Sequence, residues 1–189
     1  MLEAGCTGIH QHIIPVIITQ KHTADDRETA ACIRMLAEHF AGKMSIGAGT
    51  VLTPKQAVLT KKAGGKFIIS PNVDKAVIRK TKALGLVSIP GAATPTEIQA
   101  AHKAGADFVK LFPAAQLGTD YLKAVSAPLA HIRYLAVGGI DETNIADYLK
   151  SGACGVGIGS NLVNKAWMEA GEFDRITALA KEHVRQVQP

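Results

Sequence analysis

Short apolar runs, each closed by glycine, proline or another small residue, recur along this chain at nearly constant spacing, and that repeat limits the fold more than any other feature. The runs are IGAGTV ending at Val51, FIISP at Pro71, LVSIPG at Gly91, FVKLFP at Pro113, LAVGGI at Ile140 and VGIGS at Ser160, their ends 20, 20, 22, 27 and 20 residues apart. Between them lie stretches with helical spacing, 54–63, 74–84, 95–104 and 142–150. Gly64, Gly85, Gly105 and Gly152 stand where helix C-terminal caps are expected. Buried strands alternating with helices at this period predict βαβ units and a parallel sheet covered on both faces. An open doubly wound sheet satisfies the same alternation. Six regular units in a row, with more at the ends, favour a closed (β/α)8 barrel. The apolar run 13–18 is expected to add a strand to it, and a chain of 189 residues, 47% of them hydrophobic, is long enough to bury one core as a single domain over 1–189.

In such a barrel the carboxyl ends of the strands and the loops after them converge on one mouth, where chemistry is carried out. Each of the quoted runs ends there. Lys110 is the one cation inside a strand, with Phe108 and Val109 before it and Leu111 and Phe112 after it. Burial disfavours an ammonium ion, so such a lysine holds neutral amine ready to attack a ketone, which is what a Schiff base requires. The alternative is a strand-end lysine that runs its stem along apolar surface and keeps its charge in water. VGGI and GIGS follow the expected seventh and eighth strands, where barrels often hold phosphate on backbone N–H groups and the start of a short helix. Gly138, Gly139, Gly159 and Ser160 would supply those donors, or the glycines serve only to make tight turns. No Walker loop is present, and GVGIGS lacks the spacing of a dinucleotide fingerprint.

The net charge of +5 favours anionic ligands in general. The basic residues are dispersed along helical stretches such as 75–82 without aromatic interleaving, so no nucleic-acid partner is expected. Cys6, Cys32 and Cys154 are odd in number, far apart and free of any CxxC or Cys/His spacing, which argues against a disulfide framework or a zinc site. No secretory leader opens the chain and 13–18 is too short to cross a bilayer, so neither a membrane partner nor export is expected, and a reducing cytoplasm is the natural compartment. His39, His102, His131 and His183 fall in helices or in the loop before a strand, not at strand ends, so no catalytic metal is expected at the barrel mouth, nor is any other cofactor.

Taken together and in order, IGAGTVLTP, FIISPN, VSIPGAATPTEI, GADFVKLFPA, LAVGGI and GVGIGSNLV resemble successive segments of the 2-keto-3-deoxy-6-phosphogluconate and 4-hydroxy-2-oxoglutarate (KDPG/KHG) aldolases. The resemblance runs from about residue 24 to about residue 180. It implies a homotrimer of (β/α)8 barrels that cleaves a 2-keto-4-hydroxy acid reversibly to pyruvate and an aldehyde, without a cofactor. It gives Lys110, in the KxFPA segment, the place of the Schiff-base lysine. It puts Thr50 and Pro71 at the keto-acid carboxylate, Phe112 beside the imine, and Gly138, Gly139 and Ser160 at the phosphate end.

The N-terminal region departs from the family pattern. Members usually run from a strand like IIPVI through a helix ending like LLEAG to a strand like GIEIT, whose glutamate is the general acid/base. Here MLEAGCTGI precedes HQHIIPVII, and His10 stands where the glutamate is expected, so a truncated or rearranged start is anticipated. His10 or His12 titrates in a useful range, although a histidine beside an apolar run also has a purely structural use. The phosphate-binding arginine of that region has no clear counterpart. Two further readings stay open: a keto-acid-binding relative without turnover, and a phosphate-sugar isomerase or epimerase on a similar barrel, which would not need Lys110.

Overall fold

The computed structural model describes residues 16–19, 27–41 and 43–187. They fall into two compact units, one ending at Lys110 and the other beginning at Leu111. In the first, β1 (Val16–Thr19) leads to α1 (Arg27–His39), β2 (Ser45–Ala48), α2 (Pro54–Lys62), β3 (Phe67–Ile69), α3 (Lys75–Ala83), β4 (Val87–Ile89), β5 (Gly91–Ala92), α4 (Pro95–Lys103) and β6 (Val109–Leu111), whose last residue opens the second unit. The strands β1, β2, β3 and β4 pair in chain order and all run parallel. That is the arrangement βαβ repetition demands. The expected N-terminal strand is present as Val16–Thr19, paired Val16 to Ser45 through Thr19 to Ala48, while residues 13–15 lie outside the described residues.

The helices start and stop where the sequence tells them to. Thr53 and Thr94 each cap a helix whose next residue is proline, and the third helical residue, Gln56 or Glu97, bonds back to the cap in a reciprocal capping box. Asp74 caps α3 by accepting from the amides of Ala76 and Val77 at 2.7 and 3.0 Å. Gly64, Gly85 and Gly105 all take the left-handed conformation just past the helix ends. The core of this unit joins Ile33, Ile46, Val51, Ile68, Val77 and Leu86, all within 2% of complete burial. Each such side chain contributes about 1.5–3 kcal/mol of transfer free energy.

The run LVSIPG, read as one strand, is two. Pro90 has no N–H to give to a ladder, and the strand breaks there into β4 and β5.

The second unit continues with α5 (Ala114–Leu117), α6 (Thr119–Ser126), β7 (Tyr134–Val137), α7 (Ile145–Lys150), β8 (Ala153–Gly157), α8 (Lys165–Glu169) and α9 (Phe173–Val187). β7 and β8 are parallel, with one register shift between Tyr134 and Leu135. Leu111, Leu122, Tyr134, Ile140, Ile145 and Tyr148 form its buried interior. The Tyr148 hydroxyl satisfies the buried carbonyl of Ala114 at 2.8 Å. Among the described residues no helix is long and apolar enough to cross a membrane.

Candidate active site

Lys110 occupies the middle of β6, between Val109 and Leu111, which are 1% and 0% exposed. Its backbone N–H donates to the Pro90 carbonyl at 2.9 Å, which fixes the register of the strand at this residue. The side chain is half-buried, and that burial pushes its ammonium pKa below the ordinary lysine value. The amine is thus biased toward the neutral, nucleophilic form.

Thr50 and Pro71 follow the carboxyl ends of the neighbouring strands β2 and β3. The two loops are tied together. Val51 N–H donates to the Ile69 carbonyl at 3.1 Å, and the buried Ser70 hydroxyl donates to the Val51 carbonyl at 2.7 Å. Ser70 N–H in turn donates to the Ile89 carbonyl at 3.2 Å, which continues the ladder to β4. Thr50 stands at φ 59, the one described non-glycine residue with a left-handed backbone, and it is exposed. For a β-branched residue that conformation costs about 1–3 kcal/mol, and strain of this kind concentrates where a backbone is held for function. Thr50→Gly is therefore expected to raise the stability of the fold by about 1 kcal/mol once the added chain entropy of glycine is subtracted. A higher urea midpoint with an unchanged slope would be the sign of it.

In the second unit the structure brings Phe112 and the Gly138–Gly139 pair together. Both glycines have positive φ, 97 and 74. A side-chain carbon on Gly138 would come within 3.1 Å of the Phe112 ring, and one on Gly139 within 2.5 Å of the Ala115 side chain. Neither position admits a side chain without displacing its neighbour. The Gly138 carbonyl accepts from Ala115 N–H at 2.9 Å, and the Gly139 carbonyl accepts from the Asn144 side-chain amide at 3.0 Å. Asn161, one residue after Ser160, donates to the Ile140 carbonyl at 2.9 Å and so ties the loop after β8 to the loop after β7. Gly159 accepts from the amides of Leu162 and Val163, and Ser160 lies in the turn between them, exposed. The helix that follows begins only at Lys165, where Asn164 caps it. Ser70, Asn144 and Asn161 are thus supporting residues that the sequence did not single out. An Asn a few residues after a Gly-Gly pair is the signal that could have found Asn144, because its side chain readily bonds back to a loop carbonyl. His10 lies outside the described residues.

The chain matches the family model for KDPG and KHG aldolase over residues 10–179. It is 46% identical over 67% of its length to a probable 2-dehydro-3-deoxy-6-phosphogalactonate aldolase of Rhizobium meliloti, of which it spans 60%. Against the 2-dehydro-3-deoxy-6-phosphogalactonate aldolase of Escherichia coli it is 35% identical over 82% of its own length and 77% of that protein. Among solved structures, the KDPG aldolase of Legionella pneumophila, with pyruvate captured as a covalent carbinolamine, superposes with a TM-score of 0.76 at 28% identity, covering 87% of this chain and 77% of that one. These likenesses place the chain in the (β/α)8 barrel class of those aldolases.

Proposed function

Because the chain belongs to the KDPG and KHG aldolase family, we propose that it is a single-domain class I aldolase, a carbon–carbon lyase, in which Lys110 is the nucleophile. The observation that carries this is the placement of Lys110 in mid-strand, half-buried, with its ammonium form disfavoured by that burial. The neutral amine adds to the C2 carbonyl of a 2-keto-4-hydroxy acid to give a carbinolamine, which loses water to an imine. Protonated, the imine draws in the electron pair of the C3–C4 bond as it breaks, while the C4 hydroxyl gives up its proton and leaves as an aldehyde. The resulting enamine takes a proton at C3, and water then releases pyruvate and restores the amine.

The resemblance assigns the substrate carboxylate to Thr50 and Pro71 and the space beside the imine to Phe112. It assigns the far end of the substrate to Gly138, Gly139 and Ser160, and the position of Gly159 after the eighth strand adds it to that set. The anionic nature of that end is supported by glycines whose carbonyls are engaged within the protein, an arrangement suited to presenting N–H groups to a phosphate or carboxylate. Thr50→Gly, more stable as a fold, should capture pyruvate less readily because the hydroxyl is gone. The assembly we propose is a homotrimer, which light scattering tests, and the thiols of Cys32 and Cys154 suit a reducing cytoplasm.

Release of pyruvate from 2-keto-3-deoxy-6-phosphogluconate and from 4-hydroxy-2-oxoglutarate, followed side by side with borohydride trapping, tests the reading. Trapping and release that both survive a chelator are expected. One observation favours a second reading: β1, the strand paired with β2, reads Val-Ile-Ile-Thr and carries no carboxylate to serve as proton carrier. A protein that traps pyruvate but releases none from either substrate would be a keto-acid-binding relative. One that does neither is not an aldolase.

A further inference from the structure

The basic residues that look dispersed in the sequence are gathered by the fold. Residues 43–110 contain eleven Lys or Arg against three Asp or Glu, a surplus of eight in a chain whose net charge is +5. The three consecutive helices α2, α3 and α4 each end on a basic pair, Lys61 and Lys62, Lys80 and Lys82, and His102 and Lys103. Lys66 lies directly before β3. Because each helix runs back to the start of the next parallel strand, all of these residues lie at the amino edge of the sheet, opposite the edge that carries Thr50 and Pro71. Asp107, between α4 and β6, belongs to the same edge: it pairs with Lys82 at 2.6 Å and accepts from Ser88 N–H at 2.8 Å. The other two acids, Asp74 and Glu97, cap the opposite ends of the helices.

Cations at helix C-termini ordinarily offset the helix dipole. Three such ends amount to about −1.5 elementary charges. Six lysines against one carboxylate exceed that by more than three charges, and Glu38 and Lys43 at the end of α1 cancel one another. The excess costs self-repulsion unless something anionic meets it.

We propose that this edge docks on an anionic lipid surface. Stable protein interfaces are depleted in lysine and enriched in arginine and aromatic rings, and single-stranded nucleic acid is held by aromatic stacking. Neither pattern occurs here. Lys61, Lys62, Lys66, Lys80, Lys82 and Lys103 are all exposed, and the exposed large hydrophobic residue beside them is Val87, at the start of β4. Flexible, hydrated point charges around a small apolar centre suit a diffuse plane of headgroups.

The full chain should sediment with phosphatidylcholine vesicles in which a third of the lipid is phosphatidylserine, at low salt. It should not sediment with phosphatidylcholine alone, and high salt should release it. Each lysine near such a surface is worth about fivefold in partitioning, so the combined Lys62→Glu, Lys80→Glu, Lys103→Glu variant should bind at least about 100-fold less. A wild-type thermal melt for that variant would exclude misfolding as the cause. No sedimentation with anionic vesicles, equal binding by the triple variant, or displacement from the vesicles by single-stranded RNA at matched charge would overturn the proposal.

Discussion

Lys110→Ala and Lys110→Arg should both lose all borohydride trapping of pyruvate while keeping a folded core. Arginine retains the positive charge and most of the length, but its guanidinium stays protonated and delocalised and cannot act as an amine nucleophile. A role in which Lys110 merely attracts the keto-acid carboxylate predicts partial retention in Lys110→Arg, and the covalent role predicts none. Mass spectrometry after reduction separates them, and an undiminished adduct in Lys110→Arg would move the nucleophile elsewhere.

The same residue makes stability depend on pH in a definite direction. Burial lowers the folded-state pKa of Lys110 below its ordinary value of 10.5. Between the two values the unfolded chain binds more protons than the folded one, so stability rises with pH through that window. Below the folded-state pKa the cost of burying the ammonium is felt in full. Lys110→Met should therefore be more stable than the wild type at neutral pH, with the gap in urea midpoint closing as pH approaches 10.5. A constant gap would mean that the amine is solvated in the folded state.

How far the sequence anticipated the structure depended on whether the controlling interaction was local. The helix predicted over 74–84 is Lys75–Ala83, with Asp74 and Leu84 as its caps, because an Asp cap and a trailing glycine act within a few residues. The helix predicted over 142–150 begins later, at Ile145, since Asp141 first bends the chain by accepting from the N–H and hydroxyl of Thr143. The break at Pro90 was legible in principle from the missing N–H. Other features were not. Ser70 bonds to Val51, 19 residues away, and Tyr148 to Ala114, 34 away; such pairings are set by how strands are brought side by side, and no spacing in the sequence announces them. Thr50 is the sharpest case: threonine is a poor candidate for a left-handed backbone, so its conformation is imposed by the ladder around Val51 and not by its own preference. Lys110 was legible because a lone cation among apolar residues in a strand is conspicuous whatever surrounds it.

Gly91→Ala should destabilise the fold severely for the addition of a single methyl group. A side-chain carbon at Gly91 would lie 2.4 Å from the Pro71 carbonyl oxygen, 2.6 Å from its carbon and 3.0 Å from the Ser70 carbonyl oxygen. All three are backbone atoms, so no side-chain rotation relieves the clash; β3 and β5 must move apart. That movement strains the Ser70 N–H bond to Ile89 and the Ser70 hydroxyl bond to Val51, both buried with that residue. The cost is at the upper end of overpacking, about 3 kcal/mol. Gly85→Ala is the fitting comparison, because its added carbon meets nothing within 4 Å and only its φ of +67 penalises it. That penalty is about 1–2 kcal/mol. Because Pro71 is displaced, Gly91→Ala should also lose pyruvate trapping, coupling fold and site in a way Lys110→Ala does not. Equal urea midpoints for Gly91→Ala and the wild type would show that the loops after β3 and β4 yield far more easily than a buried backbone contact allows.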